Sequence, residues 1–225
     1  MRLLLISSTI VHGYGYLDYD ESNVRRLLGD RKRVAFIPFA QFDLEANTER
    51  VRERLGRMGY DVTQVREARD LQSADAIFTG GGNTFRLLKT LYDRGLIEPI
   101  RNRVLSDGVP YIGSSAGTNI TAPTMKTTND MPIVYPPSFD ALRFVPFQIN
   151  PHYLDPDPAS THKGETREER LREYLQENDI PVLGLREGST LWIEDAQVTL
   201  LGEKTARLFR RGQDPQEMQP GELQV

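Results

Sequence analysis

The chain has 225 residues and no cysteine, and this absence excludes several kinds of chemistry. A disulfide framework, a thiolate metal site and a cysteine nucleophile are all impossible. An amidotransferase that works through a catalytic cysteine is disfavoured for the same reason. Any nucleophilic chemistry has to come from another side chain.

The sequence also lacks a block of basic residues and a long hydrophobic run. Because the net charge is −4 and no lysine or arginine cluster stands out, we expect no nucleic-acid partner. No hydrophobic run reaches the length of a membrane span, and residues 3–6 are too few for the apolar core of a signal peptide. We therefore expect no membrane partner and a cytoplasmic location.

The bulk composition is typical of a globular chain, with 38% hydrophobic and 27% charged residues. A chain of this length fits one larger α/β domain better than two small domains. We predict a single domain over residues 1–225. The polar tail from about residue 212 contains two prolines and is expected to be loose.

Short apolar runs alternate with amphipathic stretches along most of the chain. This order predicts an α/β fold, with an open, mostly parallel sheet and helices on both faces. In such sheets, functional sites gather at the carboxyl ends of the strands. The expected strands cover residues 3–6, 34–39, 61–65, 76–79, 109–112, 144–149, 182–185, 191–193 and 198–201, the last three at a mixed or antiparallel end.

Residues 113–117 form a G-x-S-x-G pattern directly after a predicted strand. A strand, a sharp turn and a helix at this point would expose the Ser115 hydroxyl and leave the Ala116 N–H free to hold an oxyanion. The alternative is a strand-to-helix turn rich in glycine and serine that has no chemistry. The pattern alone does not decide between the two.

A serine nucleophile needs a base, and the base needs an orienting group. His152 follows a predicted strand end, which makes it a better candidate base than His12 or His162. Asp130, in a polar turn, and Glu187, at the end of a predicted strand, are both candidate acids. The alternative for Asp130 is a turn residue whose side chain bonds its own backbone, and the alternative for Glu187 is an exposed charge with no catalytic role.

Three glycines at positions 80–82 directly follow another predicted strand, over residues 76–79. Neither the G-x-G-x-x-G nor the Walker pattern is present, so a nucleotide site is disfavoured. The N–H of Gly81 or Gly82 would suit the second donor of an oxyanion hole. The alternative is a tight strand-to-helix turn.

Several sequence blocks together resemble those of the peptidase E family, the aspartyl dipeptidases among the serine peptidases. They are GGGNTF at 80–85, GSSAGTN at 113–119, TTNDMPIV at 127–134, INPH at 149–152, HKGETRE at 162–168 and LREGS at 185–189. The resemblance implies a fold related to the class I glutamine amidotransferases and cleavage of dipeptides with an N-terminal aspartate. By motif position, Ser115 is the nucleophile, His152 the base and Asp130 the preferred acid, with Glu187 as the alternative. No metal or cofactor is implied.

The resemblance also implies groups that recognise the substrate. Arg167 follows a predicted helix N-cap and would bind the aspartate side chain, the alternative being a solvated surface charge. Asn83, Asp130 or Glu187 would bind the free amine. The expected partner is a small-molecule substrate, an Asp-X dipeptide, and the chain is expected to be a monomer or a homodimer.

Two other functions stay open on the sequence alone. One is a cyanophycinase-like hydrolase of aspartyl polymers, and the other is a non-catalytic member of the fold that binds an acidic ligand. A panel of substrates separates the first from a dipeptidase. Reaction with a serine-directed phosphonate addresses the second.

Overall fold

The computed structural model describes residues 1–159, 161 and 163–225. Twelve strands lie in these residues: β1 (Arg2–Ile6), β2 (Arg33–Ile37), β3 (Asp61–Gln64), β4 (Ala76–Thr79), β5 (Tyr111–Ser114), β6 (Gln148–Pro151), β7 (Val182–Leu185), β8 (Ser189–Glu194), β9 (Gln197–Gly202), β10 (Ala206–Phe209), β11 (Gln216–Met218) and β12 (Gly221–Leu223). The α-helices are α1 (Glu21–Leu28), α2 (Leu44–Arg57), α3 (Thr84–Asp93), α4 (Ile97–Leu105), α5 (Ala116–Asn119) and α6 (Arg167–Glu177). None of the helices in the described residues is long and apolar enough to cross a membrane.

The strands form two sheets. The larger has eight strands in the order β12-β9-β8-β1-β5-β4-β2-β3, parallel from β1 to β3 and antiparallel from β8 to β12. The smaller has four strands in the order β11-β10-β7-β6, of which β6 and β7 are parallel. The prediction of an α/β fold with a mostly parallel sheet and helices on both faces is confirmed. The second sheet was not predicted.

The central strands are covered on both faces, which explains their continuous hydrophobic runs. Leu3 and Leu5 of β1 pack in one cluster with side chains of α3 and α4. Leu4 and Ile6 pack in another cluster with side chains of α1 and α2. All four side chains are fully buried. Because burial of each stabilises the fold by about 1.5–3 kcal/mol, β1 is firmly held in the middle of the larger sheet.

The C-terminal tail is part of both sheets, so the prediction that it is loose was wrong. Strand β11 pairs antiparallel with β10, and β12 pairs antiparallel with β9. Each lies at the edge of its sheet. An edge strand has one unpaired side and tolerates polar residues, which is why the composition of this segment suggested disorder.

Two strands also differ from the expected positions. The strand expected over residues 144–149 begins at Gln148 and continues to Pro151. Strand β7 lies in the smaller sheet between β6 and β10, and not at the end of the larger one. Pairing depends on contacts between distant segments, which a short apolar run does not encode.

Both sheets bring strand ends towards one region. Strands β1, β5 and β4 are parallel neighbours, and they lead into Ser7, Ser115 and Gly80 at the same sheet edge. Strands β6 and β7 also end side by side. The Ser7 hydroxyl donates to the Leu185 carbonyl oxygen and accepts from the His152 N–H, and these hydrogen bonds join the two edges.

Candidate active site

The G-x-S-x-G segment makes a sharp turn between β5 and α5. Ser115 has a φ of 51°, a left-handed conformation that a residue with a side chain adopts only when its surroundings impose it. Its N–H donates to the Ile6 carbonyl oxygen at 3.0 Å. Its own carbonyl accepts from the N–H groups of Thr118 and Asn119 at 3.0 and 2.9 Å. This is the backbone geometry of a nucleophile elbow.

The outer glycines of the segment are required by the close approach of backbone. A Cβ atom on Gly117 would lie 2.2 Å from the Thr79 carbonyl oxygen, and one on Gly113 would lie 2.6 Å from the Gly117 carbonyl oxygen. The Tyr111 hydroxyl donates to that same Gly117 oxygen at 2.8 Å. The turn therefore rests directly on β4 and β5, which fixes the position of Ser115.

We expect Gly117→Ala to lower the free energy of unfolding by about 1–3 kcal/mol, because the added methyl group must displace backbone. Gly56→Ala in α2 is the matched control, since nothing lies within 4 Å of the added Cβ atom. That control should raise the free energy of unfolding by about 0.5–1 kcal/mol, as glycine is disfavoured inside a helix. Urea unfolding followed by circular dichroism measures both, and equal effects would contradict this packing.

Ser115, His152 and Glu187 form a continuous hydrogen-bonded chain. His152 Nε2 lies 2.9 Å from Ser115 Oγ, and His152 Nδ1 lies 2.7 Å from Glu187 Oε1. A carboxylate oxygen accepts, so the ring proton sits on Nδ1 and the Nε2 lone pair accepts from the serine hydroxyl. The arrangement can remove the serine proton and hold the resulting imidazolium.

His152 and Glu187, the candidate base and acid, come together because their strands are paired. Pro151 at the end of β6 is in register with Leu185 at the end of β7, and the two strands are parallel. His152 follows the first strand by one residue, and Glu187 follows the second by two. Their side chains therefore leave the smaller sheet at the same edge, opposite the serine of the larger sheet.

The preference for Asp130 as the partner of His152 was wrong. Asp130 Oδ2 accepts from the Thr84 N–H at 2.7 Å, from the Thr84 hydroxyl at 2.6 Å and from the Thr128 hydroxyl at 3.1 Å. Thr84 is the first residue of α3, where the helix dipole favours a negative charge. These contacts place the carboxylate at the helix terminus, and none of them involves His152.

Three backbone N–H groups near the serine have no hydrogen-bond partner in the described residues. A Cβ atom on Gly81 would lie 3.0 Å from the Ser115 Cβ, so this glycine packs against the serine. Gly82, with a φ of 138°, lines the same cavity as Ser115 and Ala116. Among the described residues, the N–H groups of Ala116, Gly81 and Gly82 have no hydrogen-bond acceptor. The three residues predicted to supply oxyanion donors therefore all lie near the serine, and two N–H groups would suffice for a hole.

A cavity of about 470 Å³ opens in front of the serine. Its wall carries two opposite charges, the Arg167 guanidinium and the Asp130 carboxylate. Burial and the nearby Arg170 lower the pKa of Arg167, while Asp130 acts in the opposite direction. Arginine stays charged in spite of such a shift. In the part of the chain that the structure describes, no carboxylate forms an ion pair with Arg167.

Asn83 does not line this cavity, contrary to the expectation that it binds substrate. Its side-chain oxygen caps α3 by accepting from the Arg86 N–H at 3.0 Å, and its amide group donates to the Met131 carbonyl at 2.9 Å. Both ends of the side chain are therefore engaged in local structure. Of the other histidines, His12 is exposed and His162 lies outside the described residues.

Sequence reasoning missed several polar residues at the site. Asn119 lies at the bottom of the cavity, where its amide group donates to the Ile149 carbonyl at 2.9 Å. Thr84 and Thr128 hold Asp130. These residues lie inside the blocks that carried the family resemblance, so the signal was present, but nothing in the sequence assigned a contact to each.

The tyrosine-rich segment 13–19 is packed against α2. The Arg50 guanidinium lies 5.1 Å above the Tyr16 ring, and Arg54 donates to the Tyr16 carbonyl oxygen at 3.0 Å. Tyr14 and Tyr19 meet edge to face at 5.1 Å. Within the described chain, residues 13–19 are absent from the cavity wall.

The chain is similar in sequence to several known proteins. Residues 3–201 match the sequence model of peptidase family S51. Peptidase E of Streptomyces coelicolor is 57% identical over 225 residues, which cover 98% of this chain and 92% of that protein. A Drosophila melanogaster protein named "Probable alpha-aspartyl dipeptidase" is 47% identical over 97% of this chain and 94% of its own.

A solved peptidase from an acI-B1 Actinobacterium has the same fold, with a TM-score of 0.69 at 18% identity over 100% of this chain and 96% of that one. The resemblance to the peptidase E family is confirmed by the curated relatives. The chain belongs to peptidase family S51.

Proposed function

We propose that this protein is a serine dipeptidase that hydrolyses dipeptides with an N-terminal aspartate. The observation that carries the proposal is a single cavity that holds Ser115 and His152 together with a cation, Arg167, and an anion, Asp130. An N-terminal aspartate presents the complementary pair, an ammonium group and a carboxylate, within one residue. The name of the Drosophila relative supports the same substrate.

In the proposed reaction, Ser115 Oγ attacks the peptide carbonyl carbon while His152 Nε2 takes the hydroxyl proton. Glu187 holds the imidazole in the required tautomer and stabilises its charged form. Two of the N–H groups of Ala116, Gly81 and Gly82 bind the oxyanion. His152 then gives its proton to the leaving amine nitrogen, and the C–N bond breaks.

The acyl-enzyme carries an aspartyl group on Ser115 Oγ. Water attacks this ester while His152 takes one of its protons, and the aspartate leaves as the serine recovers its proton from the imidazole. One peptide bond and one water molecule are consumed for each aspartate released. All the groups that move protons in this cycle belong to the chain.

The substrate amine is best assigned to Asp130. Glu187 is bonded to His152 and the Asn83 side chain to α3, and neither residue lines the cavity. Asp130 uses Oδ2 for the threonines, and among the described residues Oδ1 has no hydrogen-bond donor. An ammonium group at Oδ1 would place the first residue of the substrate between Asp130 and Arg167. A longer N-terminal extension would then meet the wall of the cavity.

The test is a panel of Asp-Leu, Asn-Leu, Ala-Leu and N-acetyl-Asp-Leu, with an aspartyl polymer as a further substrate. We expect release of free aspartate from Asp-Leu and little reaction of the other dipeptides. Reaction of N-acetyl-Asp-Leu at the rate of Asp-Leu would contradict recognition of the amine. Faster cleavage of the polymer would favour the cyanophycinase-like alternative, and no turnover of any substrate would favour the non-catalytic one.

We expect Arg167→Ala to lower kcat/KM for Asp-Leu by about 10- to 100-fold, because a charged hydrogen bond to the substrate is lost. The preference for Asp-Leu over Asn-Leu should fall with it. Arg170→Ala is the matched control, since Arg170 lies one turn further along α6 and pairs with Glu165 at 3.5 Å. If Arg167→Ala kept the wild-type preference for Asp-Leu over Asn-Leu, Arg167 would have no role in recognising the substrate.

A cytoplasmic location and a monomeric or homodimeric state stay predictions from the sequence. Size-exclusion chromatography with light scattering measures the oligomeric state directly.

A further inference from the structure

Ser7 lies directly after β1 and is fully buried, and its hydroxyl makes two hydrogen bonds to the smaller sheet. The hydroxyl donates to the Leu185 carbonyl oxygen at 2.8 Å and accepts from the His152 N–H at 3.0 Å. Leu185 is the last residue of β7, and His152 follows β6. One side chain of the larger sheet thus contacts both strands that carry the base and the acid.

The preceding residue, Ile6, holds the nucleophile. Its carbonyl oxygen accepts from the Ser115 N–H at 3.0 Å and from the Thr118 hydroxyl at 2.7 Å. Two consecutive residues at the end of β1 therefore fix the two partners of the proton transfer. Because β1 is buried on both faces of the larger sheet, both contacts start from a firmly packed strand.

The backbone of His152 needs an external support. Its φ is 53°, a left-handed conformation that is costly for a residue with a side chain. The hydrogen bond from its N–H to Ser7 holds the peptide in this state. The next residue is held as well, since the Tyr153 N–H donates to the same Leu185 oxygen at 2.9 Å. Leu185 in turn lies two residues before Glu187.

We infer that Ser7 is a positioning residue of the active site, whose hydroxyl sets the place of His152 relative to Ser115 and Glu187. The inference rests on the proposed serine mechanism. Without the hydroxyl, the His152 N–H and the Leu185 carbonyl each lose a buried partner, and one of the links between the two sheets at the site is broken. The imidazole then loses its alignment between the serine and the glutamate.

The first measurement is steady-state hydrolysis of Asp-Leu by Ser7→Ala and by Ser189→Ala. Ser189 is a buried serine near the same sheet edge, and its hydroxyl donates to the Lys204 carbonyl at 3.2 Å without touching the histidine. We expect Ser7→Ala to lower kcat by about 10- to 100-fold with KM unchanged, since a small misplacement of a catalytic group has an effect of this size. Ser189→Ala should keep kcat close to that of the wild type.

The second measurement needs no substrate. The proton on His152 Nδ1, in its hydrogen bond to Glu187, should give a far-downfield resonance in NMR spectra, assigned by its absence from His152→Ala. We expect this resonance in the wild type and in Ser189→Ala, and its loss or broadening in Ser7→Ala. If the wild type releases no aspartate, the proposed substrate is wrong, while the resonance still tests the role of Ser7.

If the Ser7→Ala variant does not fold, Ser7→Cys replaces it in both measurements. It fills nearly the same space with a weak donor and acceptor, and the chain has no other cysteine with which it could pair. We expect kcat between those of Ser7→Ala and the wild type. The inference is overturned if a Ser7 variant has the same kcat as Ser189→Ala and an unchanged resonance. It is also overturned if the loss of activity in the Ser7 variant comes wholly from a higher KM.

Discussion

Replacement of Ser115 by alanine is expected to lower kcat for Asp-Leu by about 10⁵- to 10⁶-fold, the loss found when the nucleophile of a hydrolytic triad is removed. The change takes away the only hydroxyl at hydrogen-bond distance from His152 Nε2, at 2.9 Å, among the described residues. The oxyanion donors and the charged groups of the cavity remain. Substrate should therefore still bind, with KM or Kd close to that of the wild type.

Ser114→Ala is the matched control for this prediction. Ser114 belongs to the same motif and is buried, yet it does not contact the imidazole. Its removal should leave most of the activity. Rapid acid quenching followed by mass spectrometry should detect an aspartyl adduct on the peptide that contains Ser115 in the wild type and in Ser114→Ala. Turnover by Ser115→Ala at the wild-type rate would exclude the serine mechanism altogether.

The sequence predicted the parts of the site that depend on local pattern. Ser115, His152 and the glycines at 80–82 each directly follow a strand, and the sequence predicted a strand close to each of these positions. Parallel strands end at a common edge, so a strand end next to a reactive residue type already indicates a place in the fold. The capping box of Thr166 and Glu169, which starts α6 at Arg167, is also a local pattern and is present in the structure.

The choice between two acids depended on contacts that no local pattern contains. Asp130 and Glu187 both follow the motif serine, the first in a polar turn and the second at the end of a predicted strand. What separates them is that β6 pairs with β7 in a sheet of its own, so that Pro151 aligns with Leu185. The same sheet explains why Ser7 was not singled out, because its two partners lie 178 and 145 residues away in the chain.

The active site therefore lies at a junction between two sheets. In the proposed mechanism, the larger sheet supplies the nucleophile and the glycine loop, and the smaller sheet supplies the base and its carboxylate. Asn119 adds a second link besides Ser7, since its amide group donates to the Ile149 carbonyl of β6 at 2.9 Å. The catalytic geometry depends on how firmly the two sheets are joined, and buried hydrogen bonds of this kind are costly to leave unmade.

A matched pair of substitutions decides the role of each acid. Glu187→Gln and Asp130→Asn both remove one negative charge and keep the shape of the side chain. We expect Glu187→Gln to lower kcat by about 10³-fold with little change in KM, because an amide can donate to Nδ1 and favour the wrong tautomer of His152. The effect should be smaller than that of Ser115→Ala, since the Glu187 side chain is 56% exposed and water can partly replace it.

Asp130→Asn should act on binding instead. The asparagine oxygen can still accept from the Thr84 N–H, so the start of α3 should be preserved, and equal thermal unfolding of the two variants checks this. We expect KM for Asp-Leu to rise by about 10- to 100-fold, as the ammonium group loses its charged partner, while kcat changes little. If Asp130→Asn instead loses kcat and Glu187→Gln keeps it, the hydrogen bond between His152 and Glu187 does not serve catalysis, and Asp130 acts on the imidazole in the substrate complex.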